Sequence, residues 1–271
     1  MKLTIDRSDL LRALSHVQSV VERRNTIPIL SNVLLAAGSG SLTLTATDLD
    51  IEAVDAADAH VDQEGALTAP AQTLFDVVRK LPETAEVQLE YMPDNQRLSI
   101  QAGRSRFALP TLPAADFQTM VRDEGAVSFS LDVNDLKRLI DKTRFAISTE
   151  ETRYYLNGVY LHIHKGEDGS KLRAVATDGH RLALSEIDAP QGSDSLAGVI
   201  IPRKAVSEIR RLIDGYDGVI EVSASEAKIV FTAGRAVLTT KLIDGSFPDY
   251  ARVIPQNNEQ TLKAGNVALE K

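Results

Sequence analysis

In the segment ATDGHR, residues 176–181, Asp178 and His180 stand two residues apart, a spacing at which a carboxylate and an imidazole can share a proton as an acid–base pair. A hydrolase needs a nucleophile or a metal beside such a pair. No G-x-S-x-G motif accompanies it, and with no cysteine there is neither a thiol nucleophile nor a thiolate metal site. The related stretch ATDLD carries Asp48 and Asp50 but no histidine. Asp48, Asp50 and Asp178 are therefore the set that a phosphate-handling hydrolase would use, whereas an Asp-Gly turn closing two strands accounts for Asp178-Gly179 more simply. His162 and His164 in YLHIHK project from one face of a strand and offer two metal ligands, but the sequence places no third, so they read as exposed strand histidines. There is no P-loop and no G-x-G-x-x-G. No catalytic set, metal or cofactor is specified.

A repeated scaffold must position these residues. LTIDRSDLLR (3–12), FSLDVNDLKR (129–138) and QTLKAGNVAL (260–269) each run a short alternating strand into a polar cap and an apolar helical start, with Ile5, Leu131 and Leu262 in matching places. Asp48 answers to Asp178, Pro70 to Pro202, Leu112 to Leu242 and Phe117 to Phe247, at a spacing of about 130 residues, the size of a small domain. Duplicated domains follow: 1–121, 126–253, and a linker with the start of a third over 254–271. Apolar residues at helical spacing predict helices at about 8–22, 71–81, 134–145 and 203–213, with Pro70 and Pro202 opening two of them. Period-two segments such as Val87, Leu89, Tyr91 and Ile220, Val222, Ala224 predict half-buried strands, and the turns at Pro93-Asp94-Asn95 and Ser225-Glu226-Ala227 join some of them into hairpins. The class is α+β, two helices per domain laid on antiparallel sheets.

A chain of 271 residues, 43% hydrophobic and 25% charged, can bury two ordinary cores, which excludes disorder. The N-terminus carries charge where a signal peptide needs an apolar core, and no apolar run approaches membrane-spanning length, so a cytoplasmic, membrane-free protein is expected. A formal charge of −8 argues against a general nucleic-acid binder. Counted with Arg23 and Arg24 at the end of the first (8–24), each of the four predicted helices is nevertheless net positive, leaving the acid excess on sheets and loops. If the helices share one side, that side is a basic lining that attracts a phosphate backbone without reading bases. The plainer alternative is the solvated faces of amphipathic helices.

MKLTIDRSDLLRAL, IPILSNVLL, ATDLDIEA, GRSRFALPTLPAADF, RYYLNGVYL, ATDGHRLA and GSFPDYARVIP resemble the bacterial DNA polymerase III beta subunit family, the sliding clamps, in order through nearly the whole chain. The resemblance implies the DNA-clamp fold: three similar domains in a crescent, two crescents closing head to tail around duplex DNA, helices lining the hole. It also implies a chain truncated after its second domain. Because the family's ring pairs the first domain of one subunit with the third of the next, a homodimeric ring is expected of the full-length form and a monomer of this one.

The resemblance carries over DNA contact to Arg24, Tyr154 and Tyr155, with Arg153 beside them; the tyrosines can stack on sugars or bases while the arginine meets a phosphate. In a strand, such a Tyr-Tyr pair would put one ring in the core and one on the surface. It carries over a pocket for short apolar peptide motifs of the replicative DNA polymerase, clamp-loader subunits and repair factors to Leu156, Thr177, Gly179, His180, Arg181, Leu182, Pro248, Arg252 and Val253. It carries over the ring contact to Arg104, Arg106, Phe107 and Leu109, where alternation puts the apolar pair on one face and the arginines on the other. Three classes result: a non-enzymatic processivity clamp, which the residues favour; a static sequence-tolerant DNA-binding protein; and the hydrolase above. The second would need a base-reading element, and no helix-turn-helix is evident.

Overall fold

The computed structural model describes residues 1–22, 26–121, 123, 126–167, 169–255 and 259–265. In chain order the first unit contains β1 (Lys2–Asp6), α1 (Arg7–Val17), β2 (Asn32–Gly38), β3 (Ser41–Thr47), β4 (Ile51–Asp58), β5 (His60–Gln63), β6 (Gly65–Pro70), α2 (Ala71–Lys80), β7 (Glu86–Met92), β8 (Arg97–Ala102), β9 (Ser105–Pro110) and β10 (Leu112–Pro113). The second contains β11 (Val127–Asp132), α3 (Val133–Asp141), β12 (Gly158–Gly166), β13 (Gly169–Thr177), β14 (Leu182–Asp188), β15 (Val199–Pro202), α4 (Arg203–Leu212), β16 (Val219–Ala224), β17 (Lys228–Ala233) and β18 (Ala236–Lys241). The second repeats the first without the short β5 and β10, and the class is α+β.

The shared opening motif works as a strand that ends in a helix cap. Asp6 accepts the Ser8 N–H at 2.7 Å and Asp132 the Asn134 N–H at 2.8 Å, each satisfying a donor that the first helical turn leaves free. α1 buries Leu10, Ala13, Leu14 and Val17, and α3 buries Val133, Leu136, Leu139 and Ile140. Two predicted helices run too long. After Val17 the bonds shorten to three-residue steps, Val20 N–H to Val17 O and Val21 N–H to Gln18 O; after Asp141 the Thr143 hydroxyl takes the Leu139 carbonyl and ends α3. In the third copy of the motif, Leu262 is exposed where Ile5 and Leu131 are buried, and residues 266–271 lie outside the described residues.

Antiparallel strands form three sheets, in the orders β5-β1-β7-β8-β9, β10-β6-β2-β3-β4-β18-β17-β16-β11 and β14-β13-β12-β15. The nine-stranded sheet crosses from one unit to the other where β4 pairs with β18, Val54 facing Val237 and Ile51 facing Thr240. α1 packs over β4 and α4 over β18. Ser19 donates to Glu208 at 2.5 Å, and Lys204 contacts both Glu22, at 3.1 Å, and Asp48. Those contacts put the end of α1 beside α4 on the same side of the shared sheet. Among the described residues no helix is long and apolar enough to cross a membrane.

Candidate functional site

Asp178 sits in the turn between β13 and β14 and is occupied by closing it. Its Oδ1 accepts the backbone N–H groups of His180 and Arg181, at 2.9 and 3.0 Å, and its Oδ2 accepts from Arg181 Nε at 3.0 Å. Those bonds, the His180 and Arg181 backbone donors foremost, hold its pKa at about 2. Asp48 does the same in the first unit: Oδ1 accepts from the Asp50 and Ile51 N–H groups, while Oδ2 faces Lys204. Asp50 pairs with Lys241 at 3.0 Å. Among the described residues no three His, Asp or Glu side chains converge to hold a metal ion. The carboxylates of the hydrolase reading thus serve two turns and the joint between units.

Beside that turn lies the segment with the tyrosine pair. Tyr154 and Tyr155 stand on a 3-10 turn, Glu151–Leu156, not in a strand, because the chain folds back so that Ser148 N–H reaches the Leu156 carbonyl at 3.1 Å. Neither ring enters the core: Tyr154 is 54% exposed and Tyr155 half-buried, in an edge-on pair with centroids 5.8 Å apart. Arg153 forks onto Glu150 at 2.8 and 2.6 Å and also donates to the Asp178 carbonyl at 3.2 Å, so the tyrosine segment and the Asp178 turn form one surface. Gly179 takes φ +88°, a conformation that favours glycine, and a Cβ there would have to displace the end of the Arg153 side chain, 2.6 Å away.

Of the residues assigned to the peptide pocket, Thr177 closes the turn through a 2.7 Å bond to the Arg181 carbonyl, His180 and Arg181 are exposed, Leu182 is half-buried and Leu156 is buried. Arg181 rests on the ring of Phe145, 5.6 Å from its centroid. Sequence reasoning missed Phe145; its signal was an aromatic beside Arg144 where α3 ends, and it is 56% exposed. Pro248, Arg252 and Val253 are exposed on a separate segment that leaves β18, and Arg252 pairs with Asp249 at 2.8 Å. Phe247 and Tyr250 attach that segment to the second unit, through Tyr160 and His162. His162 is accordingly half-buried and bonded to Tyr250, not an exposed strand histidine.

The residues expected at the ring contact lie at a free sheet edge, on β9 and in the turn before it. Arg104 is in the turn before the strand, Arg106 and Phe107 are exposed, and Leu109 is 7% exposed. Alternation alone would treat Phe107 and Leu109 alike; Leu109 is covered by packing of β9 near β6, while Phe107, 41% exposed, borders a cleft of about 330 Å³ with Val77, Lys80 and Leu81. On the helices, Arg12, Arg79, Arg138, Lys204, Arg210 and Arg211 all have carboxylate partners, as does Arg144 just past α3. Lys80, Lys142 and Arg203 are exposed and lack one among the described residues. Arg24 lies outside the described residues.

Comparison with known proteins places this geometry. The model of the DNA polymerase III beta subunit N-terminal domain matches residues 1–121, and that of its central domain residues 130–249. A curated beta sliding clamp of Caulobacter vibrioides is 57% identical over 271 residues, 100% of this chain and 73% of its own length. The crystal structure of a DNA polymerase sliding clamp from Caulobacter crescentus has a TM-score of 0.91 at 58% identity, covering 95% of this chain and 70% of that one. A Bartonella birtlesii sliding clamp bound to griselimycin has a TM-score of 0.91 at 50% identity, covering 96% and 69%. The chain belongs to the DNA polymerase III beta subunit family, the beta sliding clamps.

Proposed function

We propose that this sliding clamp holds duplex DNA inside a ring built head to tail from units like its two, and that the ring tethers the replicative polymerase and clamp-loader subunits through short peptides. It is a non-catalytic processivity factor. The observation that carries the ring is the β4–β18 joint. In the repeat, β18 corresponds to β9 and β4 to β14, and both of those are free edges. The AGR turn shows the correspondence: Arg235 pairs with Asp58 across the joint at 2.6 Å, while its counterpart Arg104 stands at one free end and Asp188, the counterpart of Asp58, at the other. Phe107 takes the place of Leu238, which the joint buries to 1% exposure. Each end therefore suits a further unit of the same kind.

We assign residues 1–121 and 126–253 to two clamp domains and 254–271 to a linker leading into a third. These two units on their own are monomeric, and the clamp acts in the cytoplasm. Lys80, Lys142 and Arg203, with Arg24, Arg153, Tyr154 and Tyr155, contact DNA weakly and without base readout, which lets the ring slide. Leu156, Thr177, Gly179, His180, Arg181, Leu182, Pro248, Arg252 and Val253 form this chain's part of the peptide cleft.

Loading onto circular DNA tests the ring, using a form that carries the third unit. Retention on circular DNA that is lost when the DNA is cut supports encirclement; equal retention on both shapes makes the protein a static binder. Arg24→Ala with Tyr154→Ala is expected to weaken retention and its salt dependence without unfolding the protein. Arg181→Ala is expected to weaken griselimycin binding at least about tenfold while leaving the ring intact.

A further inference from the structure

The segment that leaves β18 is unusual in how little backbone holds it. The last backbone hydrogen bond tying it to the sheets, among the described residues, is Ile243 N–H to the Ile200 carbonyl at 3.0 Å. From Asp244 to Pro255 only Tyr250 is buried. What holds the segment is a stack of rings: Phe247 lies parallel on Tyr160, centroids 4.8 Å apart at 6°, Tyr160 stacks on His162 at 4.7 Å, and His162 meets Tyr250 at 5.7 Å. Tyr160 is itself wedged against Gly198, where a Cβ would come within 2.2 Å of its hydroxyl.

We propose that this four-ring ladder is a clasp that fixes the Pro248–Val253 segment as one wall of the peptide cleft, with His162 as its positioning residue. The inference rests on the cleft assigned above. A directed chain of hydrogen bonds supports it. Glu186 on β14 holds Arg173 on β13 at 2.6 Å; Arg173 donates to the Tyr250 hydroxyl at 3.4 Å; that hydroxyl lies 2.9 Å from His162 Nε2, and His162 Nδ1 lies 3.2 Å from the Ile163 carbonyl. Only the neutral imidazole with its proton on Nδ1 satisfies every partner: Nδ1–H donates to the carbonyl, and Nε2 accepts from the tyrosine.

A second proton on His162 turns Nε2 into a donor aimed at an oxygen that Arg173 already serves, leaves the tyrosine proton without its acceptor, and sets two cations side by side. The groups facing His162 are Tyr160 and His164 from β12, Arg173 from β13 with Glu186 behind it, and Tyr250 from the segment itself. Burial lowers the His162 pKa below its usual 6.5; the bond to the Ile163 carbonyl opposes it, and the charges of Arg173 and His164 add smaller lowering contributions. The clasp is thus fully formed above that value and loosens as the pH falls below it, because the open state binds the proton more readily.

The test is hydrogen exchange over residues 244–255 together with griselimycin affinity, in wild type and in His162→Ala and Tyr250→Phe. The expected result is exchange about tenfold faster in that segment in both variants, the effect of losing one hydrogen bond and its ordering, with griselimycin affinity falling several-fold. Wild-type protection should also fall from pH 8 to pH 5.5 after correction for intrinsic rates, a change absent from His162→Ala. Unchanged exchange in Tyr250→Phe, a variant that keeps the ring and the core, overturns the clasp. Faster exchange with unchanged griselimycin affinity leaves the clasp standing and overturns the segment's assignment to the cleft.

Discussion

Asp178 shows how a residue with the look of a catalyst becomes a structural one. Its two oxygens take three N–H donors of the next turn, and those donors favour the charged form, which is why its pKa is about 2 instead of the ordinary 3.8. Because the folded value is the lower one, the turn gains stability from Asp178 above about pH 4, and that gain disappears as the pH falls through 2. A carboxyl titration followed by NMR is expected to show a midpoint near 2; a midpoint at the ordinary value would mean the three bonds do not form in solution. The Asp178 carboxylate beside His180 accepts its backbone N–H and is committed to closing the turn.

At the scale of elements, the two equivalent turns differ in one informative way. Both use a threonine hydroxyl, Thr47 or Thr177, to accept the N–H two residues on and to donate to a carbonyl four residues on. Both need a left-handed residue after the aspartate: Gly179 at φ +88° in the second unit, but Leu49 at φ +77° in the first. A side chain in that region crowds the following carbonyl, at a cost of about 1 kcal/mol or more, part of which glycine returns through its greater freedom when unfolded. Leu49→Gly is therefore expected to stabilise the protein by up to about 1 kcal/mol in urea unfolding. A loss of stability would show that packing of the half-buried Leu49 outweighs the backbone strain.

For the whole molecule, the joint between units decides whether there is one cooperative body or two. β4 and β18 merge the sheets, and Lys204 ties α4 to the first unit through Glu22 and Asp48. Asp48 is only 8% exposed at its side chain, so removing Lys204 leaves a nearly buried charge without its partner. Lys204→Met is expected to cost about 2 kcal/mol, less than a fully buried pair because Lys204 itself is 37% exposed. Calorimetry is expected to show one transition in wild type; two resolved transitions would mean the joint does not couple the units.

The repeat, the helix caps, the Asp-turns and the antiparallel α+β class were all legible in the chain, because each depends on local spacing: a capping Asp before an apolar helical stripe, period-two apolar strands, one turn chemistry used twice. The site residues rest on the family resemblance and not on spacing. What spacing cannot report is which distant elements meet. That Lys204 would answer Asp48, that Arg153 would reach the Asp178 carbonyl and make one surface of two motifs, and that His162 would bond Tyr250 across 88 residues were decided only when the sheets brought those side chains together. The tyrosine pair left its expected strand for the same reason, since the closure from Ser148 to Leu156 replaces strand pairing there. Local sequence determined the units; the free energy of joining β4 to β18, a contact between remote parts of the chain, determined how the units share one sheet and one helical side.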